Sequence, residues 1–313
     1  MFIDVAGHQV SVFLPPLVAL LLSTFMSTGG VSGAFLLLPF QMSFLGFTSP
    51  AVSPTNQLYN VIAIPSGVWR YVKEGRMVWP LTWIVVVGTL PGVFIGAFIR
   101  IKYLYNPASF KVFAGFLLLY IGSRLLMDVL RKRTDDSPSS EERFQELVRN
   151  YREQQQLGED CKPLPRVRVV RFNLKEMAYY FYSEVFRVPT IKISMISFLV
   201  GIAGGAYGIG GGAIMAPMFV TFFRLPVYTV AGACLMGTFV TSVAGVIFYQ
   251  LLEPFCPGVA IAPHWHLGLL FGIGGLMGMY LGATLQKYMP ARLIKWIIAS
   301  ALLLIAVKYI TGL

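Results

Sequence analysis

The sequence predicts an all-α polytopic membrane protein. It is built as two inverted-topology repeats of five hydrophobic segments each, including short broken or hairpin helices. Three observations carry this prediction. First, 56% of the 313 residues are hydrophobic and only 12% are charged, about half the roughly 25% charge of a soluble globular chain. Second, apolar runs such as VWPLTWIVVVGTLPGVFIGAFI (78–99) and LIKWIIASALLLIAVKYI (293–310) match the roughly 20 residues needed to cross a bilayer. Third, one pattern of glycines and prolines occurs twice along the chain, the signature of an internal repeat.

In the first half, segment a covers 12–28, b 33–46, c 54–72, d 78–99 and e 108–130. In the second half, a covers 190–207, b 211–224, c 228–250, d 266–285 and e 290–311. A constant offset pairs Gly30 with Gly208, Gly33 with Gly211, Pro39 with Pro217, Gly67 with Gly245 and Tyr71 with Tyr249. A slightly longer offset aligns Gly88, Gly92 and Gly96 with Gly274, Gly278 and Gly282. These identities sit where backbone shape is dictated. The chain therefore divides into a first membrane repeat (1–130), a polar insert (131–189) and a second membrane repeat (190–313).

Lysine and arginine set the orientation. Placing Arg70, Lys73 and Arg76 in the cytoplasm also places Arg131, Lys132, Arg133, Lys287, Arg292 and Lys295 there. Arg100, Lys102, Lys111 and Lys308 stay outside. The positive-inside rule favours this arrangement. The insert is then cytoplasmic, both termini lie outside, and the halves have opposite topology, a hallmark of secondary transporters. The net charge of +11 raises the question of nucleic acid. Its position at span ends and in one long loop points instead to anionic lipid, and no nucleic-acid partner is expected.

The insert reads as soluble. Ser139 and Glu142 have capping-box spacing, and Phe144, Leu147, Val148 and Tyr151 follow one helical face. RVRVVRF (166–172) reads as a short strand, and LKEMAYYFYSEVFRV (174–188) as an interfacial aromatic helix. A cytoplasmic cap or partner surface is its expected role. Cys161, Cys234 and Cys256 have no paired spacing, so neither a disulfide framework nor a metal knuckle is predicted, and no cofactor is expected. The N-terminus MFIDVAGHQV lacks the basic region and cleavage site of a signal peptide.

The glycine clusters carry the functional reading. Segment b is about 14 residues, or roughly 21 Å as a helix, against a hydrocarbon core of about 30 Å. Segments a and b and the glycines between them form a hairpin whose tip lies inside the membrane. Non-helical backbone at that depth is tolerated only against protein or a water-filled cavity. Each tip also opens a helix, whose N-terminus offers free N–H groups and partial positive charge. Glycine lets an anion approach that backbone closely. Gly30, Ser32 and Gly33 of one tip and Gly208, Gly210 and Gly211 of the other are the candidate donors. Segment c forms the adjoining wall, with Thr55, Asn56, Gln57 and Asn60 in one half and Cys234, Thr238, Thr241 and Ser242 in the other. Asn56, Asn60 and Thr238 are the candidates taken from it. The glycines of segment d serve close helix contact and have no site role.

The charges narrow the substrate. None of the 14 acidic residues falls centrally in a span, where a cation transporter or proton relay keeps one. An anionic or neutral substrate follows. GVSG (30–33) also fits intramembrane serine proteases, but that chemistry needs a base for Ser32. The histidines, His8, His264 and His266, all fall on the outer face. Ser32 aligns with Gly210, so the shared feature is backbone and the chain is read as no enzyme. GIGGG (208–212) lacks the strand that precedes a dinucleotide loop, and HWH (264–266) reads as interfacial rather than metal-binding.

The repeated glycine-rich turn before a proline (GGVSGAFLLLP and GIGGGAIMAP), the polar helix ending SGVWRYVKEGRM and the glycine-rich d helix resemble the sulfite exporter TauE/SafE family. The resemblance spans about 12–130 and 190–312. It implies an inner-membrane permease for small sulfur oxyanions or organosulfonates, such as sulfite or sulfoacetate. The expected function is secondary transport of a small anion bound between two glycine-rich helix N-termini near the midplane. The expected partners are that sulfur-containing anion and membrane lipid. A channel-like anion conductor and, less favoured, an intramembrane serine hydrolase are the alternatives.

Overall fold

The computed structural model describes residues 2–5, 7–130, 166–181, 184–289 and 291–312, together with 146, 149 and 150. The chain opens with an antiparallel hairpin of β1 (Phe2–Val5) and β2 (His8–Ser11). The first half then supplies α1 (Leu14–Thr28), α2 (Ala34–Ser43), α3 (Val52–Lys73), α4 (Trp79–Lys102) and α5 (Pro107–Leu130). The second half supplies α6 (Thr190–Tyr207), α7 (Gly211–Phe222), α8 (Val227–Leu252), α9 (Trp265–Leu285) and α10 (Ala291–Thr311). These ten helices follow the ten predicted segments in order. Helices α4, α5, α6, α8 and α9 each hold a stretch long and apolar enough to cross a membrane. By contrast, α2 and α7 have 10 and 12 residues, about 15 and 18 Å, and neither crosses a core of about 30 Å. The protein is a polytopic, mostly helical membrane protein.

Glycine decides which helices touch. A Cβ at Gly92 or Gly96 of α4 would collide with the Phe198 or Ile202 carbonyl of α6. From the facing side, Gly201 and Gly205 of α6 press on the Thr89 and Val93 carbonyls. Helix α9 does the same to α1, with Gly274 on Pro16, Gly278 on Leu20 and Gly282 on Thr24. Such backbone-to-backbone approach is how membrane helices associate without a hydrophobic drive between them. Each segment-d helix thus packs on the segment-a helix of the other half. The other large contacts between the halves pair α3 with α8, α5 with α10, α3 with α9, and α4 with α8. Exchanging the two halves leaves this set of pairings unchanged.

The described part of the insert is a three-stranded antiparallel sheet, β3 (Arg168–Phe172), β4 (Glu176–Phe181) and β5 (Glu184–Pro189), in that order. The strand expected near 166–172 is β3. The aromatic helix expected over 174–188 is not present, because that stretch forms β4 and β5. The alternation explains the correction. In β5, Glu184, Phe186 and Val188 are more buried than Val185 and Arg187 between them, the period of two that belongs to a strand. In β4, Met177, Ala178, Tyr179 and Phe181 are buried and Tyr180 faces out. The sheet docks on the helices. Val167 donates its N–H to the Gly75 carbonyl at 3.1 Å, and the Tyr179 hydroxyl lies 2.8 Å from Thr229 Oγ1. Burial pushes the Tyr179 phenol above its ordinary range. The capping box at Ser139 and Glu142, the helical face of Phe144, Leu147, Val148 and Tyr151, the basic residues 131–133 and Cys161 lie outside the described residues.

Candidate functional site

The first turn leaves α1 at Thr28. Gly29 and Gly30 donate to the Met26 and Ser27 carbonyls at 3.1 and 3.0 Å, which turns the chain back, and Gly30 adopts φ +71°. The second turn leaves α6 at Tyr207, with Gly208 at φ +89° and Gly210 at φ +82°. L side chains rarely adopt such backbone. Space forbids them as well. A Cβ at Gly30 would lie 2.5 Å from the Ala231 Cβ of α8, and one at Gly208 would lie 2.5 Å from the Ser53 Cβ of α3. Each turn therefore seats on the segment-c helix of the opposite half. Gly33 has ordinary backbone, but a Cβ there would come within 2.5 Å of the Tyr59 hydroxyl.

Two asparagines on α3 tie the turns together. Asn56 Nδ2 donates to the Ala34 carbonyl beside the first turn at 3.0 Å and to the Gly208 carbonyl in the second at 3.2 Å. Asn60 Nδ2 donates to the Ile209 carbonyl of the second turn at 3.0 Å and to Ser242 Oγ at 3.2 Å. Asn60 Oδ1 accepts the Ser32 hydroxyl of the first turn. Gln41 of α2 completes Asn56 by donating to its Oδ1 at 3.3 Å. Ser32, Gln41, Asn56, Asn60 and Ser242 are all fully buried. Each asparagine thus contacts both turns, and no charged side chain takes part in these bonds.

The two helix N-termini are finished differently. Ser32 Oγ accepts from the Ala34 N–H at 3.2 Å, and the Gly33 N–H faces the Tyr59 hydroxyl. Gly211 instead donates to Thr241 Oγ1 of α8 at 3.1 Å. Among the described residues, no acceptor takes the N–H of Ser32 or Gly210. Of the sequence candidates, Ser32, Asn56, Asn60 and the Gly208 carbonyl meet in these bonds. Gly30, Gly208 and Gly211 spend their N–H groups on Ser27, Gly204 and Thr241, and Thr238 stands apart. Its hydroxyl donates to the Cys234 carbonyl one turn back in its own helix, at 2.9 Å. Only its backbone borders the second turn, against Gly210 and Gly212.

Sequence reasoning did not single out Tyr59, Gln41 or Ser53. Gln41 carried a signal, as an amide within a short apolar segment. Tyr59 and Ser53 carried none, because their roles arise from the facing half. A small cavity beside the first turn is walled mostly by apolar side chains, among them Val31, Leu125, Pro217, Val220 and Ile298, with Lys295 also lining it, and it includes neither asparagine. Among the described residues, no group of three or more His, Cys, Asp or Glu is placed to hold a metal ion.

A family model described as Sulfite exporter TauE/SafE matches residues 16–309. The chain belongs to that family. Over 298 residues it is 23% identical to Probable membrane transporter protein YunE of Bacillus subtilis (strain 168), covering 93% of this chain and 94% of that protein. It is 29% identical over 115 residues to Probable membrane transporter protein YdhB of the same organism, covering 37% of this chain and 44% of that protein. It is 24% identical over 295 residues to Probable membrane transporter protein MamO of Magnetospirillum gryphiswaldense, spanning 91% of this chain but 43% of that protein. No solved structure matches. As a TauE/SafE protein with five apolar spans, the chain is an integral membrane protein of a transporter family.

Proposed function

We propose that the chain is a secondary transporter of small anions, with sulfite or an organosulfonate as its substrate, bound between the two glycine turns near the bilayer midplane. The observation that carries this reading is the bridging of the two turns by Asn56 and Asn60. Neutral donors from both halves converge there at the N-termini of α2 and α7, whose partial positive charge favours an anion. The N–H groups of Ser32 and Gly210 add donors that no protein group uses. When the turns separate, the asparagine amides released from the Ala34, Gly208 and Ile209 carbonyls become available to substrate. Helix ends contribute only about 0.3–2 kcal/mol each, so binding is weak and reversible, which suits transport.

The exchange-symmetric packing supports two inverted repeats, 1–130 and 190–313, which rock about the site to alternate access. We place the protein in a bacterial-type inner (plasma) membrane, with insert 131–189 in the cytoplasm and both termini outside. We read it as no enzyme. The Ser32 hydroxyl is donated to an amide oxygen, which is no base, and His264 Nδ1 is occupied by the Leu267 N–H at 3.2 Å.

The test is flux of sulfite and of sulfoacetate into proteoliposomes holding the purified chain. Saturable flux is expected, without unitary currents in planar bilayers, and Asn60→Leu should lower it at least about tenfold if one charge-assisted hydrogen bond is lost. A folded wild-type protein that moves neither anion would refute the reading, and unitary currents would turn it into a channel.

A further inference from the structure

Helix α4 runs 24 residues, about 36 Å, from just after Arg76 to Arg100 in its last turn. The two arginines therefore mark opposite ends of the molecule. Arg76 is neutralised. Its Nη2 lies 2.6 Å from Glu74 Oε2, and its Nη1 donates to Gln286 Oε1 at 2.7 Å. Tyr71 shares that amide oxygen, donating its hydroxyl at 3.0 Å.

The far end repeats the frame with different chemistry. Tyr249 aligns with Tyr71, and Arg100 occupies the position that aligns with Gln286. Arg100 is 0% exposed. Its Nε donates to Ser53 Oγ at 3.3 Å, its Nη1 to the Leu104 carbonyl, and its guanidinium carbon sits 3.8 Å from the centre of the Phe110 ring. Among the described residues no carboxylate pairs with it, and its Nη2 has no hydrogen-bond partner. A buried charge without a counter-charge is a heavy cost to a fold. The negative C-terminal end of α4 offsets part of it and accounts for Nη1, but it leaves Nη2 unexplained.

The neighbours of Arg100 show the same deficit. Among the described residues, the Tyr249 hydroxyl faces Ser53 and Arg100 without a well-formed hydrogen bond, and neither end of the Gln57 amide has a partner. Ser53, Gln57 and Asn60 share a face of α3 by their spacing. Gln57 packs on Gly245 of α8, one turn from Tyr249 and from Ser242. A stripe of buried polar side chains thus runs from Arg100 through Ser53 and Gln57 to the asparagine bridge. Among the described residues its Arg100 Nη2 and Gln57 Nε2 donors lack partners, and Ser53 also seats Gly208.

We propose that Arg100, with Tyr249, Gln57 and Ser53, forms a second anion site. It holds a small oxyanion between that end of the membrane and the glycine turns. The proposal rests on the reading of the chain as an anion transporter. A guanidinium fork suits an oxyanion geometrically and stays charged throughout the cycle. The stripe then delivers the anion along α3 by exchange of hydrogen bonds.

Arg100→Gln, which copies the residue at the opposite end, and Gln57→Leu test this with sulfite as probe. In proteoliposomes, Arg100→Gln should raise the half-saturating sulfite concentration about tenfold or more while maximal flux is kept. Gln57→Leu should raise it by less, with no loss of thermal stability, because an unpaired buried amide is replaced by an apolar group. In detergent, sulfite should raise the melting temperature of the wild type and not of Arg100→Gln. If the wild type carries no sulfite, the transport reading fails, yet the melting shift still reports on the Arg100 site. Folded Arg100→Gln protein with unchanged half-saturation, or an equal melting shift in both proteins, overturns the proposal.

Discussion

The two glycine turns are one backbone device carried out with two chemistries. The first turn has a single left-handed glycine, Gly30, and supplies its own capping oxygen from Ser32. The second has two left-handed glycines, Gly208 and Gly210, and borrows its oxygen from Thr241 on a neighbouring helix. The difference teaches that a broken helix inside a membrane can be finished from within or from outside. The inner solution spends a side chain that also reaches the partner turn. The outer solution leaves the turn bare and makes it depend on the packing of α8. Neither turn pairs every donor: among the described residues, the N–H of Ser32 in the first and of Gly210 in the second has no acceptor.

Substitutions can break this comparison, and their expected effects fall in a definite order. The largest belongs to the bare turn. Gly210 has φ +82° and ψ +152°, a region essentially reserved for glycine, and forcing alanine there costs about 1–3 kcal/mol. A Cβ would also crowd Ser242 Oγ and Thr241 Oγ1, at 2.9 and 3.0 Å. Gly210→Ala should therefore lower the melting temperature in detergent and abolish flux, the largest of the flux effects. A wild-type melting curve would show that the turn is not held as described.

Breaking the bridge comes next. Asn60→Leu strands the Ile209 carbonyl and the Ser32 and Ser242 hydroxyls, and each orphaned buried group costs about 1–3 kcal/mol. Urea unfolding in mild detergent measures that loss, and Asn56→Leu should behave alike. If either variant matches the wild type in both stability and flux, the bridge has no energetic content.

Converting one turn into the other is a finer test. Ser32→Gly gives the first turn the residue of the second and removes two hydrogen bonds, one to Asn60 Oδ1 and one from the Ala34 N–H, each worth about 1 kcal/mol. Flux should persist within a few-fold, because the shared feature is backbone. Complete loss of flux in folded Ser32→Gly protein would make the hydroxyl, not the peptide N–H, the contact that matters. The smallest effect belongs to Thr238. Its hydroxyl serves its own helix, so Thr238→Val should cost no more than one buried hydrogen bond, about 0.5–1.5 kcal/mol, and leave flux as it was. A large flux defect there would restore Thr238 to the site.

Much of this architecture was legible in the residues. The helix boundaries follow hydropathy and the positions of glycine and proline, which act over a few neighbours. The glycine spacing on α4 and α9 marks them as close-packing helices, but that they meet α6 and α1 was decided only by the packing. The β4–β5 hairpin was legible in principle, since Phe186 and Val188 flank Arg187 in β5, but the density of aromatics masked that period. The direction of the Thr238 hydroxyl was not legible for another reason. A threonine in a helix can turn its hydroxyl back to the carbonyl four residues earlier, and composition does not reveal which way it turns.

By itself, then, the sequence determined the number and order of the helices, the location of both breaks and the absence of central carboxylates, because hydropathy, chain length and glycine conformation are local properties. Only the tertiary structure decided that Asn56 meets Gly208, that Tyr59 stands over Gly33 and that Arg100 is buried without an acidic partner. The acceptor that each buried donor finds depends on how helices distant in the chain pack. In a membrane core without water, that packing alone settles which polar groups are satisfied and which remain open to a solute.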